Sequence, residues 1–184
     1  MKILITGING FLGQNLSRAF IVAGHEVIGL GRQDHCVTEV SDYFSGSVLD
    51  RAIVQRSCKG AQAIIHLAAL TAHNELIDNR FHALELNFLG TKHVLDDFIQ
   101  SNTAEKFIFS STGKVYGNIL NVPITEEHPC RPLNVLGKSK YLTEQLIDFY
   151  AHTNKQFVSL RIFNVFGPNQ RSNFLIPTIL SQLK

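Results

Sequence analysis

The stretch "KILITGINGFLG", residues 2–13, constrains the fold more than any other part of this chain. A short apolar run rich in isoleucine and leucine reads as a buried strand, and the apolar positions that follow at helical spacing read as a helix. Between them stand Gly7, Gly10 and Gly13. Each glycine has its own task in a strand–turn–helix that holds a phosphate. Gly7 lets the chain turn tightly off the strand, Gly10 lets the backbone approach a pyrophosphate, and Gly13 lets the helix pack closely on the sheet. The anion would rest at the helix start, where unpaired N–H groups and the dipole favour negative charge. Phe11, which opens that helix, joins the three glycines as a cofactor-binding residue.

Further apolar runs recur at "EVIGL" (26–30), "AIIHL" (63–67), "KFIFSS" (106–111) and "FVSLRIF" (157–163), each a candidate buried strand. Helical patterns lie between them: Leu12, Leu16, Ala19, Phe20 and Ala23 form one apolar stripe, and Leu142, Leu146, Phe149 and Tyr150 form another. Strand and helix alternate along the chain, so the expected class is α/β, a doubly wound parallel sheet with helices on both faces. Phe107, Phe109, Phe157 and Phe163 have strand spacing and are expected in the core. "GNILNVPITEEHPCRPLN" (117–134) has three prolines and no clear period, and is expected to be a long loop.

With 184 residues the chain has room for one well-cored domain. Lys+Arg 17 against Asp+Glu 15 is too even a balance for a nucleic-acid binder. The apolar run of "MKILITG" is too short for a signal peptide, which points to a cytoplasmic protein without membrane association. Cys36, Cys58 and Cys130 show no CxxC spacing and are expected as free thiols. The histidines form no HxxxH or HExxH pattern, so no metal site is expected.

The end of the second strand bears on the choice of cofactor. An acidic side chain there would hold the adenosine ribose 2′-hydroxyl and select NAD, whereas "VIGLGRQD" places Gly31 and Arg32 there. A glycine leaves room for a 2′-phosphate and Arg32 could pair with it, which favours NADP over NAD. Asp34 is a rival partner for the ribose, and Arg32 could equally be a solvated loop residue.

Taken together, "TGINGFLG", "AIIHLAA" (63–69), "NFLGTKHVL" (87–95), "FIFSSTGKVYG" (107–117), "LGKSKYLTEQL" (136–146) and "LRIFNVFGP" (160–168) resemble the extended short-chain dehydrogenase/reductase family. Within it, they look like the NAD-dependent epimerase/dehydratase branch that acts on nucleotide-sugars. The resemblance implies a Rossmann domain over residues 1–168, with 169–184 as the start of a truncated C-terminal substrate region. It also implies hydride transfer at a sugar C4, with a nucleotide-sugar as the small-molecule partner. In that family a Ser or Thr at the end of the "SSxxxVYG" strand bonds the reacting oxygen, and Thr112 matches it, with Ser111 beside it. A tyrosine exchanges the hydroxyl proton. A lysine one helical turn later, matched by Lys140, lowers the tyrosine's pKa and holds the nicotinamide ribose.

By that spacing the tyrosine position is 136, and it holds leucine. Leucine has no proton to exchange, and loss of a positioned general acid/base costs on the order of 10² to 10⁴ in rate. Tyr141 lies about 100° round the helix from Lys140, and Tyr116 belongs to the family's structural "VYG". Other positions carry over from the same resemblance. Leu67, Ala68 and Ala69 line the cofactor, and so does Asn87 unless its amide caps backbone; His66 is either a cofactor neighbour or a satisfied core residue. Thr71 and Asn164 face the substrate, and Asn164 too could be a backbone cap. Ser47 stands where an acid near the adenine is usual.

Two readings follow. The chain is an epimerase or 4-keto-reductase-like oxidoreductase impaired by Leu136 and by truncation, or it is a non-catalytic NAD(P)(H)-binding module. A dehydratase is disfavoured, because Gly113 and Lys114 beside Thr112 are not acidic. Missing C-terminal cover would leave apolar surface bare, and a homodimer is expected.

Overall fold

The structure, a computed structural model, describes residues 1–71, 73–119, 121–170, 172 and 174–183, without the side chains of 73–75. Strands β1 (Lys2–Thr6), β2 (Glu26–Gly31), β3 (Asp42–Ser45), β4 (Ala63–His66), β5 (Lys106–Thr112) and β6 (Gln156–Ile162) form one six-stranded sheet in the order β3-β2-β1-β4-β5-β6. Every neighbouring pair is parallel. Helices α1 (Phe11–Val22), α2 (Arg51–Cys58), α3 (His73–Asp78), α4 (Arg80–Leu84), α5 (Gly90–Gln100), α6 (Val135–Tyr150) and α7 (Leu175–Gln182) lie between or after the strands. The expected class, a doubly wound parallel sheet, is the observed one. Residues 121–134 carry no helix or strand, and neither do 117–119.

The strands are apolar on both faces because both are covered. On one side Leu4, Ile28, Ile64, Phe107 and Phe109 pack against Val94, Leu95 and Phe98 of α5 and Val54 of α2. On the other, Ile3, Ile5, Val27 and Ile65 pack against Leu16 and Phe20 of α1. The five strand expectations hold, and β3 is the one that sequence reasoning missed. It is four residues long, with a half-buried, partly polar pattern, "DYFS", that gives no strand signal by itself.

Both expected helix stripes need correction. In α1, Leu16 and Phe20 pack inward but Ala19 and Ala23 are exposed, while the fully buried residues are Gly13 and Ser17. Small residues take the line of closest approach. In α6, Leu146 and Tyr150 pack against the core as expected, but Leu142 and Phe149 are exposed, and the most deeply buried residues are Leu136, Gly137, Ser139, Lys140, Thr143, Glu144 and Ile147. Glu144 occupies that face because Ser111 and Arg161 meet it there. Phe163 is also corrected: Phe107 and Phe109 are fully buried and Phe157 partly so, but Phe163 lies beyond the end of β6 and is 56% exposed.

Candidate cofactor and active site

The strand order reverses between β1 and β4, and in parallel sheets the carboxyl ends of strands at such a point border a ligand crevice. Gly7 turns the chain off β1 with φ +69°, and a Cβ there would lie 2.8 Å from Ala68 N and 2.9 Å from its Cα. Only glycine lets the turn lie against the end of β4. At Gly13 a Cβ would fall 2.4 Å from the Ile8 carbonyl oxygen, so α1 rests directly on the turn. Gly10 is the extended N-cap of α1 and no side chain caps the helix. The first-turn N–H groups therefore have no partner within the helix, and a pyrophosphate fits them in both charge and hydrogen-bond direction. Phe11 is partly buried at the same place, with Gly167 of the loop after β6 against its ring.

On the β2 side of the turn, Gly29 and Gly31 leave a slot along the strand that the ring of Tyr43 fills from β3. A Cβ on Gly31 would lie 3.0 Å from the Tyr43 hydroxyl, and one on Gly29 would lie 3.0 Å from its ring. The hydroxyl donates to Gln33 O at 2.6 Å and accepts from Asn9 Nδ2 at 3.2 Å. Asn9, inside the glycine turn, also donates to His35 O and accepts from Val37 N, each at 2.9 Å. A phenol thus stands beside Gly31. Arg32 and Asp34 are both exposed. Ser47, at the start of the loop after β3, accepts from Leu49 N at 3.2 Å.

His66 closes β4 and is fully buried. The Thr91 hydroxyl donates to Asn87 O at 2.6 Å, so its oxygen accepts from His66 Nε2 at 2.9 Å. Nδ1 is then unprotonated and accepts from the Thr6 hydroxyl at 2.8 Å, and Thr6 in turn accepts from Ala68 N at 3.2 Å. This relay fixes one neutral tautomer. Burial, reinforced by the Lys140 charge, pushes the imidazole down to about 3. Of the two roles considered for His66, the satisfied core residue is the observed one, and its bonds hold Leu67 and Ala68 in place. Ala69 is half-buried beside them.

Asn87 lies within a π-helical turn, Glu85–Leu89, and is fully buried. It accepts from Leu70 N at 2.7 Å and donates to Leu70 O and to Ser139 Oγ, each at 3.1 Å. The amide caps backbone and ties the loop after β4 to α6. Thr71 and Asn164 are exposed, in the loops that follow β4 and β6.

At the end of β5 the Thr112 side chain accepts from Lys114 N at 3.3 Å and starts a 3-10 turn, Gly113–Tyr116. Ser111 is buried and donates to Glu144 Oε1 of α6. Glu144 is held by Arg161 of β6 through Nη2 at 2.8 Å and Nε at 3.2 Å, and Arg161 also donates to the Tyr116 hydroxyl at 3.1 Å. Sequence reasoning missed this cluster. Its one signal was a glutamate a helical turn after Lys140. Beside it runs a cleft of about 770 Å³, lined by Tyr116, Glu126, Glu144, Arg161 and Phe163 among others.

Leu136 lies in the first turn of α6, 8% exposed and packed into the main core. Lys140, one turn on, is 3% exposed, with Nζ 4.5 Å from the centre of the Phe109 ring. Burial lowers its ammonium to about 7, and the nearby Glu144 carboxylate opposes the shift. Thr112 and Lys140 share no hydrogen bond among the described residues. The three cysteines are free, and burial pushes the Cys58 thiol up to about 12. Among the described residues no group of His, Cys, Asp and Glu could hold a metal ion, and no helix is long and apolar enough to cross a membrane.

A parallel sheet whose switch point stands over a glycine turn and an uncapped helix start defines a dinucleotide-binding α/β domain of the Rossmann kind. The chain belongs to the NAD dependent epimerase/dehydratase family, whose sequence model matches residues 3–184. It is 29% identical over 205 aligned positions to the UDP-glucose 4-epimerase of Erwinia amylovora, covering 97% of this chain and 60% of that protein. The solved UDP-glucose 4-epimerase of Thermotoga maritima with UDP-glucose superposes with a TM-score of 0.87 at 28% identity, covering 95% of this chain and 59% of that one. The Thermus thermophilus UDP-glucose 4-epimerase in complex with NAD gives 0.87 at 27%, with 98% and 61% covered. The chain spans about three fifths of the length of each.

Proposed function

We propose that residues 1–168 hold a nicotinamide dinucleotide for C4 chemistry on a nucleotide-sugar, as in an epimerase or 4-keto reductase, and that residues 169–184 begin a substrate region. Structural relatives with bound NAD and with bound UDP-glucose support the ligand classes. In this reading the glycine turn and the start of α1 bind the pyrophosphate. Leu67, Ala68 and Ala69, positioned by His66 and Asn87, line the cofactor; Thr112 bonds the reacting oxygen; Lys140 holds the nicotinamide ribose; and Thr71 and Asn164 face the sugar. Ser111, bonded to Glu144, supports Thr112 from below. When bound, the nicotinamide supplies a hydride acceptor or donor.

Leu136 carries the conclusion that this chain is impaired. It puts a buried hydrocarbon where the proton-exchanging phenol belongs. With UDP-glucose and NAD as probes, Leu136→Tyr is expected to raise turnover by at least about 100-fold over the native chain, the worth of a positioned acid/base. A native chain that turns over as fast as Leu136→Tyr would contradict the impairment. The burial of Lys140 without a phenol one turn away favours a second reading, a module that binds NAD(P)(H) without chemistry. Cofactor binding with no turnover even in Leu136→Tyr would support it.

Exposed apolar side chains such as Phe81 and Phe149 support pairing of two copies. Sedimentation velocity is expected to show a species of twice the chain mass, and a monomer at every concentration would contradict it. A cytoplasmic location completes the proposal; localisation of the tagged chain to a membrane or periplasmic fraction would overturn it.

A further inference from the structure

At the end of β2 residue 31 has no side chain, and Arg32 and Asp34 are exposed, with no hydrogen bond or ion pair among the described residues to hold either in one place. What stands there is a phenol from the neighbouring strand. Tyr43 is set opposite Gly29 in the β2–β3 register, and its ring runs toward the strand end, so that the hydroxyl lies against Gly31.

We propose that Tyr43, fixed by Asn9 and Gln33, reads the adenosine ribose and makes this site select NAD over NADP. The proposal rests on the dinucleotide reading of the glycine turn. The Tyr43 hydrogen is committed to Gln33 O at 2.6 Å, so the oxygen can only accept. It accepts from Asn9 at 3.2 Å and keeps capacity for one more donor. A ribose 2′-hydroxyl is such a donor, and a 2′-phosphate at neutral pH offers only acceptor oxygens. The carbonyls of Gln33 and His35, both drawn toward this point, add to the negative potential that a phosphate would meet. Burial, with Cys36 and Asp34 nearby, raises the Tyr43 phenol above its ordinary value, so it stays a neutral hydroxyl under working conditions. The slot is also sterically full: even a Cβ at residue 31 would stand 3.0 Å from the hydroxyl.

Asn9 gives the device its rigidity. Its amide joins the glycine turn to the backbone at His35 and Val37 and to the Tyr43 hydroxyl. The pyrophosphate turn and the ribose reader are therefore one hydrogen-bonded unit, and a ribose placed by the pyrophosphate meets the phenol at a fixed position.

The test is equilibrium titration of the full chain with NAD and with NADP, with dissociation constants read by calorimetry or by melting shift, so that no turnover is needed. The native chain is expected to bind NAD about tenfold more tightly than NADP, the size of one well-placed hydrogen bond. Tyr43→Phe keeps the ring and removes the oxygen, and is expected to weaken NAD severalfold while leaving NADP nearly unchanged. Tyr43→Ala opens the slot and is expected to bring the ratio to one or below. Cooperative melting of Tyr43→Phe near the native temperature separates this effect from a folding defect. Equal or tighter binding of NADP by the native chain would overturn the proposal. So would a NAD preference that neither variant alters, though the dinucleotide reading would then stand. Binding of neither cofactor by the native chain would overturn both.

Discussion

At the scale of single residues, the site is governed by which polar groups are already spoken for. His66 has a ring nitrogen on each of two threonines and no proton exchange with the crevice. The sequence left its role open because Thr6 and Thr91 are far from it along the chain and only β4 and α5 bring them together. The consequence for stability has a definite sign. The folded imidazole titrates near 3, and the ordinary value is 6.5. Between those values the unfolded chain binds a proton that the folded chain does not, so stability present above pH 6.5 is lost as the pH falls. From pH 6.5 to pH 4 the loss from this group alone is about 3 kcal/mol. Urea unfolding at those two pH values checks it, with His66→Gln as the comparison: the variant should lose that much less on acidification, and an equal loss in both would contradict the relay. Leu136, by contrast, was legible from the family resemblance, which puts the tyrosine one helical turn before Lys140, a fixed place on α6.

At the scale of elements, α6 shows why an apolar pattern can mislead. Of the stripe Leu142, Leu146, Phe149 and Tyr150, written at helical spacing, Leu146 and Tyr150 pack on the core but Leu142 and Phe149 face outward, while Lys140, Thr143 and Glu144 go in. Glu144 is compensated by Ser111 and Arg161, both from strands, and a pattern along the helix cannot show partners that arrive from β5 and β6. The legible part was the position of each long element; the illegible part was the face. Lys140 is the costly member of that face. Its ammonium titrates near 7 against an ordinary value of 10.5, so the burial cost is full below pH 7 and is relieved as the pH rises toward 10.5. Lys140→Met should therefore raise stability most at or below pH 7. Its advantage should shrink by about 2–3 kcal/mol between pH 7 and 9, measured by denaturant unfolding at each pH. A constant advantage, or a loss, would mean that the amine has a partner that offsets its burial. β3 teaches the complementary lesson. Its four residues carry no periodic signal, yet Gly29 and Gly31 in β2 mark a slot whose occupant, Tyr43, could be known only once the strands were paired.

At the scale of the whole molecule, sheet order and the closely fitted glycine turn make the cofactor side of the crevice a finished structure. The side toward β6 is different in character: Val158, Leu160, Phe163, Phe166 and most of α7 are exposed, and α7 buries none of its residues. The alternation of strand and helix in the sequence was enough to foresee the parallel class but not the strand order, because each βα unit completes itself locally. Function therefore hinges on the cofactor half, and melting of the full chain with NAD, at about 100 times its dissociation constant, tests it most directly. A bound dinucleotide should add roughly 2.7 kcal/mol, a rise of several degrees in a chain of this size. An unchanged melting temperature at saturating concentrations of the cofactor would contradict the central claim that this domain binds a nicotinamide dinucleotide.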